Sequence, residues 1–335
     1  MIKRITFLGD FLRTNPGETV NSSGFNVRWL SHLLRWQINA ASNLPQTVFI
    51  PDQNKFEEIY NQIGLIPCFE NWVSSFDRPL NGDILLPFVE NDLVIGFELS
   101  PTIKRMLDHI EVPYINIQLH PIRYFEDLMF SFESNNPDIE DSIHQFSVTT
   151  DVVDFQTNIF QAHLAQNALP YFDEPVVVVM GQTFCDKALI VQNRLVNFND
   201  FAEPLIKLIK TQKVVFKPHP HANDQCPLGS WMRENEVQIV DANAYTLMVS
   251  PLVSKFITMS SGSVSEAIYL GKTGQFLVHN PLDYHKNAVM HQFFTVNFWS
   301  TILSPVIPTR NGVAEMPFVS DRCRRSLTTS WAYRR

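Results

Sequence analysis

The chain has 335 residues, of which 45% are hydrophobic and 18% charged, and its formal net charge is −8. This length fits two domains of ordinary size, and the composition excludes a disordered chain. The acidic balance argues against a nucleic-acid-binding protein, so we expect no nucleic-acid partner.

Several further classes of site are disfavoured. Glycines number only 12 and neither a G-x-G-x-x-G nor a Walker sequence occurs, which argues against a glycine-rich phosphate loop. Cys68, Cys185, Cys226 and Cys323 are far apart and form no C-x-x-C, so zinc ligation and a disulfide framework are not expected. We expect a cytoplasmic protein, because no apolar run is long enough for a signal peptide or a membrane-spanning helix.

The first half of the chain alternates predicted strands and helices. Residues 2–8 predict a strand, and apolar residues at near-helical spacing predict a helix at 26–38. This order favours a parallel sheet with helices on both faces. Further strands are predicted at 46–50, 83–86, 93–96 and 114–118, and helices at 55–63, 102–110 and through most of 138–168.

A second series of the same kind begins at residue 176, after a boundary near 170–175. We therefore expect an N-terminal domain at 1–170 and a C-terminal domain at 171–335, with the C-terminal segment packing back on the first. Strands are predicted at 176–180, 213–216, 237–240, 255–259 and 275–279, and helices at 200–210, 243–250 and 264–270.

Three strands of this second series each end in a polar cluster. They lead into GQTFCD at 181–186, KPHPH at 217–221 and SSGSVSE at 260–266. Because the carboxyl ends of parallel strands line the ligand crevice of an open α/β sheet, these clusters are expected to share one site. A carboxylate, two histidines and a serine-rich helix start suit transfer of a sugar from a nucleotide donor.

The serine cluster predicts a phosphate site. Ser260, Ser261 and Ser263 precede a helix whose free amides and positive dipole end favour an anion. The alternative is an ordinary N-cap with a capping box from Ser263 to Glu266. Glu266 could equally bind the two hydroxyls of a ribose.

The other two clusters supply groups for catalysis. His219 and His221, behind Lys217, could donate to or protonate a departing phosphate, and no third ligand has the spacing of a metal site. Asp186 could attack an anomeric carbon, with Gln182 to orient it. As the alternative, Asp186 is an N-cap for the residues after it.

Candidates in the first half are less specific. Asp10 and Arg13 follow the first strand, Glu98 follows the strand at 93–96, and His120 and Arg123 follow the strand at 114–118. Arg123 could bind a carboxylate with both arms of its guanidinium. Each of these residues could bind substrate on the acceptor side, or could equally serve loop structure.

These motifs resemble one family. Gln182 to Asp186 matches Q-x-x-x-D, His219-Pro220 matches an HP motif, and the serines with Glu266 match an S-x-x-E element. With HPIR at 120–123 they resemble the retaining β-Kdo transferases of bacterial capsule and lipopolysaccharide assembly. Those enzymes have the GT-B fold, in which two Rossmann-like domains with parallel sheets face a central cleft. The HP and serine motifs are shared with bacterial sialyltransferases, and Q-x-x-x-D discriminates between the two.

The resemblance implies a function for each site residue. Kdo, an eight-carbon ulosonic acid, would pass from CMP-β-Kdo to a lipid-linked glycan acceptor through a covalent intermediate on Asp186. His219 would assist loss of CMP, Ser260 and Ser261 would hold its phosphate, and Glu266 its ribose, without a metal. The alternatives are an inverting CMP-sialic-acid transferase with Asp10 as general base, and a non-catalytic sugar-nucleotide-binding protein.

The end of the chain is strongly basic. The last fourteen residues carry five arginines and no acid, with Trp331 and Tyr333 among them. This pattern fits a solvated tail, or peripheral contact with the anionic surface of an inner membrane.

Overall fold

The computed structural model describes residues 1–166, 171–221, 227–310, 315 and 317–327. The strands are β1 (Arg4–Gly9), β2 (Gln46–Phe49), β3 (Asp92–Phe97), β4 (Tyr114–Leu119), β5 (Phe130–Ser134), β6 (Val176–Met180), β7 (Ile190–Val191), β8 (Arg194–Leu195), β9 (Val214–Lys217), β10 (Gln238–Ile239), β11 (Val253–Thr258), β12 (Thr273–Phe276) and β13 (Ala288–Val289). The α-helices are α1 (Gly24–Ser42), α2 (Gln53–Gln62), α3 (Phe69–Ser75), α4 (Leu86–Val89), α5 (Pro101–His109), α6 (Pro137–His144), α7 (Thr150–Ala165), α8 (Ala202–Thr211), α9 (Pro227–Glu234), α10 (Ala244–Val249), α11 (Gly262–Tyr269), α12 (Val296–Leu303) and α13 (Arg322–Ser326).

The first compact unit contains Met1–His120, Glu126–Val148 and the chain from Lys286 onward. Its sheet has the order β13-β5-β4-β3-β1-β2, in which β2, β1, β3 and β4 are parallel. Strand β5 runs antiparallel to both β4 and β13. Strand β3 is buried along its whole length, as expected for a parallel strand covered on both faces.

The core of the first unit joins these strands to α1, α6 and α12. Helix α1 fits this role because Val27, Leu30 and Leu34 recur at helical spacing and are buried together. Cys323 and Leu327, near the end of the chain, belong to the same core. The residues after His285 therefore complete the first unit.

The second compact unit contains Pro121–Phe125 and Thr149–His285. Its sheet is parallel throughout, in the order β10-β9-β6-β11-β12. The central strand β6 is four valines and a methionine, all buried, and β-branched residues suit a strand covered on both faces. Since all five strands run the same way, their carboxyl ends lie at one edge.

The predicted α/β class is confirmed, with a second sheet that is parallel throughout and a first sheet that is parallel except at β5 and β13. The strand predicted at 83–86 is wrong, because Gly82–Leu85 forms a 3₁₀ turn. Asn81 caps that turn by accepting the amide of Asp83 at 3.0 Å, and Pro87 has no amide to give to a ladder. The antiparallel strand β5 was not predicted, and the helical stretch expected at 138–168 is two helices, α6 and α7.

The compact units divide the chain differently from the expected cut after residue 170. Helix α7 and the segment 121–125 lie in the second unit, whereas the chain from Lys286 lies in the first. Residues 167–170, at the expected boundary, are outside the described residues, as are Cys226, Trp331 and Tyr333.

In the described part of the chain, no helix is both long and apolar enough to cross a membrane. In the basic segment, Arg325 pairs with Asp321 at 2.5 Å and Arg324 donates to the carbonyl of Glu126 at 3.0 Å. Contact of this segment with a membrane surface stays a prediction.

Candidate functional site

The candidate site lies at the carboxyl edge of the second sheet. Met180, the last residue of β6, stands between Lys217 of β9 and Thr258 of β11 in the strand register. The three polar clusters therefore begin side by side. Gly181 makes this possible, since a Cβ there would lie 2.9 Å from the amide nitrogen of His219. The prediction that the three clusters begin at one edge of the sheet is confirmed.

Gln182 joins two of the clusters. Its side-chain amide donates to Asp186 Oδ2 at 3.0 Å, and its carbonyl oxygen accepts the amide of Ser260 at 3.1 Å. Gln182 is only 4% exposed, so the residue at the centre of this bridge is buried and held in place. It holds the carboxylate of Asp186 in register with the start of α11.

Asp186 also makes the contact that its alternative reading predicts. Its Oδ1 accepts the amide of Ala188 at 3.0 Å and caps the 3₁₀ turn Lys187–Leu189. The side chain remains partly exposed. A capping role and a chemical role are therefore compatible here, since one oxygen caps the turn and Gln182 orients the other.

The serine cluster divides into a cap and a buried hydroxyl. Ser261 is the N-cap of α11 and accepts the amide of Ser263 at 3.4 Å, so the helix begins two residues before the predicted start. Ser260 is 2% exposed, and its hydroxyl has no hydrogen-bond partner among the described residues. An unsatisfied buried hydroxyl beside the positive end of a helix is suited to an anionic ligand.

The histidine cluster has a defined arrangement. His219 Nδ1 accepts the amide of His221 at 3.1 Å, so the neutral ring carries its proton on Nε2 and can donate from there. Burial lowers the pKa of His219, and the positive charges of His221, Arg123 and Lys217 act in the same direction, while Asp186 opposes them.

Lys217 makes a hydrogen bond to the backbone of the His-Pro turn. It is buried and its ammonium donates to the carbonyl of Pro218 at 3.1 Å. Burial lowers the pKa of Lys217, although the charge of Asp241 partly offsets this. Its nearest described partner is thus the backbone of the His-Pro turn.

Glu266 is engaged in a way that the sequence did not predict. Its Oε1 accepts the amide of Arg123 at 2.6 Å, and both of its oxygens accept from the hydroxyl of Tyr245, at 3.1 and 3.2 Å. The residue is 5% exposed. Arg123, expected in the first domain, therefore belongs to the second unit with Glu266. The sequence analysis missed Tyr245, because its hydrogen bond to Glu266 is a tertiary contact that no local sequence pattern indicates.

The remaining candidates lie in the first unit. Asp10 is 4% exposed and accepts the indole N–H of Trp72 at 2.9 Å and the amide of Leu12 at 3.2 Å. The guanidinium of Arg13 lies over the ring of Trp72, 5.4 Å from its centroid. These contacts order the loop after β1.

Glu98 and His120 follow two neighbouring strands, β3 and β4. Glu98 has a φ of +51°, an uncommon conformation for a residue with a side chain, and donates its amide to Ile117 at 2.9 Å. His120 is buried, and its amide donates to the carbonyl of Met129 at 3.0 Å. A substrate-binding role for both residues stays a prediction.

His279 is a further candidate for the site, and the sequence analysis missed it. It follows β12, where Val278 continues the pairing by donating its amide to Met259 at 2.9 Å. Burial lowers the pKa of His279, while the negative charges of Asp186 and Asp283 raise it. Its ring packs edge-on against Tyr284, 4.8 Å between centroids. The strand-end rule that selected His219 would also have found it.

Comparisons with known proteins do not assign a family. No protein-family model matches the chain and no curated protein matches it. Among solved structures it is similar to the beta Kdo 2,7 transferase of Thermosulfurimonas dismutans KpsC, with 12% identity, a TM-score of 0.43, and 82% of this chain and 79% of that one covered.

Two further solved structures are similar to the chain. For the beta Kdo 2,4 transferase of the same KpsC, the identity is 12%, the TM-score 0.39 and the coverage 88% and 89%. For the UDP-GlcNAc 2-epimerase of Methanocaldococcus jannaschii, in complex with UDP-GlcNAc and UDP, the identity is 11% and the TM-score 0.32, and the match covers 91% of this chain and 99% of that one. At these values the likeness assigns no activity, so function has to be inferred from the site itself.

Proposed function

We propose that the protein is a retaining glycosyltransferase that moves Kdo from CMP-β-Kdo to a glycan acceptor. The observation that carries this proposal is the bridge from Asp186 through the buried Gln182 to Ser260. It fixes a partly exposed carboxylate beside a helix start that suits a phosphate. A cap for a 3₁₀ turn needs no such bridge.

The donor's phosphate would bind at the start of α11. The buried hydroxyl of Ser260 and the Nε2–H of His219, beside the positive end of the α11 dipole, are donors of the kind that neutralise a leaving phosphate. Arg123 adds positive charge near the His-Pro turn, in agreement with its lowering effect on the pKa of His219. The Q-x-x-x-D and HP motifs favour a CMP-activated Kdo over other nucleotide sugars by resemblance.

The chemistry proceeds in two displacements. A carboxylate oxygen of Asp186 attacks the anomeric carbon, and the bond to the phosphate oxygen breaks with its electron pair, which releases CMP. The acceptor hydroxyl then attacks the same carbon as its proton passes to a base, and the bond to Asp186 breaks to restore the carboxylate. Two inversions at one carbon give net retention.

Intact-mass measurement with CMP-Kdo tests the proposal. We expect the wild-type protein to gain the mass of one Kdo residue without acceptor, and to lose it when a glycan acceptor is added. Asp186→Ala, with CMP binding intact, is expected to show no gain. Transfer with an inverted anomeric configuration and no adduct would support the inverting alternative. A protein that neither binds CMP nor turns over the donor would contradict the assignment as a CMP-sugar transferase.

A further inference from the structure

The segment Pro121–Phe125 is a component of the second unit that arrives from the first half of the chain. It packs closely on the start of α11, since a Cβ on Gly262 would lie 3.0 Å from the carbonyl oxygen of Pro121. The ring of Tyr124 stacks on Phe160 of α7 with 4.9 Å between centroids, and the hydroxyl of Tyr124 lies 2.5 Å from that of Thr157 on the same helix. The segment is therefore held at both ends.

Glu266 supplies the polar contact in the middle of this segment. Its bond to the amide of Arg123, at 2.6 Å, is charge-assisted and partly buried, which makes it stronger than a neutral pair. The hydroxyl of Tyr245 donates to the same carboxylate, and Phe160 packs edge-on against the ring of Tyr245 at 5.0 Å. These contacts occupy Glu266 with protein partners and leave it poorly placed for ribose hydroxyls.

This contact decides where Arg123 stands. Glu266 lies one turn into α11, at the carboxyl edge of the sheet, so the backbone of Arg123 is fixed at that edge. The start of α11 follows β11, and β6 separates β11 from β9 and its His-Pro turn, so Arg123 lies at the edge where the three polar clusters begin. In agreement with this placement, the charge of Arg123 lowers the pKa of His219. A planar guanidinium in such a position matches a carboxylate in a way that a point charge does not.

We propose that Glu266 and Tyr245 are positioning residues that fix Arg123 beside His219, where Arg123 selects a donor sugar that carries a carboxylate. The inference deepens the proposed function and rests on it. Kdo bears its carboxylate on the anomeric carbon, next to the departing phosphate. A guanidinium beside the His-Pro turn would therefore contact both the reacting sugar and the site of charge development.

The first test asks whether Glu266 holds the segment or binds ribose. Hydrogen exchange at the Arg123 amide should become at least about tenfold faster in Glu266→Ala, because the amide loses its acceptor. The increase should be smaller in Tyr245→Phe, which removes only the hydroxyl that donates to Glu266. The ratio of affinities for CMP and 2′,3′-dideoxy-CMP should equal that of the wild type in both variants. A ratio that falls to one in Glu266→Ala would overturn the proposal in favour of ribose binding.

The second test asks whether the segment acts through Arg123. Arg123→Gln should lower kcat/KM for CMP-Kdo about 100-fold while the affinity for free CMP changes less than about threefold. Adding Glu266→Ala to Arg123→Gln should cost little more, because both variants remove one function. Fully additive losses would contradict the proposal, and Tyr245→Phe serves in the same cycle if Glu266→Ala does not fold.

The two tests separate failure of the inference from failure of the proposed function. Hydrogen exchange at Arg123 needs no substrate, so it reports the clamp even in a protein without Kdo transfer. If the wild type turns over CMP-Kdo but Arg123→Gln is as active, the inference fails and the proposed function stands. If the wild type neither binds CMP nor turns over CMP-Kdo, the selective role of Arg123 fails with the proposed function.

Discussion

Asp10 and Asp186 each follow a strand with parallel neighbours, β1 and β6, yet their surroundings differ. Both carboxylates accept hydrogen bonds from the protein, Asp10 from groups that include Trp72 and Leu12, and Asp186 from groups that include Gln182 and Ala188. Asp10 is 4% exposed and is covered by an indole, whereas Asp186 is partly exposed. Two imidazoles, His219 and His279, are within electrostatic reach of Asp186.

Hydrogen bonding to the protein therefore does not by itself separate a structural carboxylate from a chemical one. Accessibility and the chemistry of the neighbours do, because a nucleophile has to reach a substrate and has to act beside groups that can move protons. By this criterion Asp10 is the weaker candidate for the general base of an inverting reaction. The predictions below test the contrast between the two edges.

The largest effect is expected for Asp186→Asn. Transfer should fall by several orders of magnitude with CMP affinity unchanged, because an amide is a poor nucleophile. The matched variant Asp10→Asn should lower the free energy of unfolding by about 1–3 kcal/mol through its lost buried contacts, with kcat nearly unchanged. Steady-state kinetics and thermal unfolding of both variants check this. An active Asp186→Asn protein would reduce Asp186 to a cap, because asparagine caps as well as aspartate.

The next largest effect is on the pH dependence of donor turnover. Burial holds the pKa of both His219 and His279 below the ordinary value of 6.5, so both rings are neutral at pH 7 and become charged as the pH falls below that value. Two cations beside Asp186 would weaken it as a nucleophile. We expect single-turnover rates to be flat above pH 7 and to fall below pH 6.5.

Histidine variants show which ring causes the fall in rate at low pH. His279→Gln should make that fall smaller, and the same change at the exposed His32 should leave the pH profile unaltered. A rate that rises steadily from pH 7 to pH 5 would show that the charged imidazoles assist the reaction instead.

Gln182→Ala tests whether the bridge from Asp186 through Gln182 to Ser260 serves catalysis or folding alone. The loss of its carbonyl leaves the buried amide of Ser260 without that acceptor, which should cost about 1–3 kcal/mol of stability. Because Asp186 also loses its orienting bond, kcat should fall about 10- to 100-fold. Kinetics that remain at the wild-type level despite the lost stability would mean that the bridge supports folding alone.

The two serines should respond oppositely. Ser260→Ala is expected to weaken CMP binding by about 1–2 kcal/mol without loss of stability, because its buried hydroxyl makes no bond within the described chain. Ser261→Ala removes the N-cap of α11 and should lower stability by about 1 kcal/mol. Calorimetry with CMP and thermal melts measure both, and unchanged CMP affinity in Ser260→Ala would exclude its hydroxyl from the site.

The smallest expected effect is that of a chelator, namely none. Within the described residues, no group of three or more His, Cys, Asp and Glu side chains is arranged to hold a metal ion. Donor turnover in EDTA should match turnover without it. Activity that is lost in EDTA and restored by a divalent cation would contradict the proposed metal-free departure of CMP.

The sequence by itself determined the α/β class and the meeting of three clusters at one sheet edge. Both follow from local rules: buried valine-rich runs such as β6 form central strands, and the carboxyl ends of parallel strands share an edge. The adjacency of Asp186, His219 and Ser260 could therefore be predicted without knowledge of side-chain packing.

Only the tertiary structure decided which partners these residues take. Glu266 contacts Arg123 and Tyr245 because a segment from the first half of the chain packs on α11, and no local pattern encodes a contact between residues so far apart in sequence. The antiparallel placement of β5 likewise depends on pairing with β4 and β13. Local propensity sets the elements and their ends, whereas long-range packing sets which side chains are buried against each other, and so which of them remain available for chemistry.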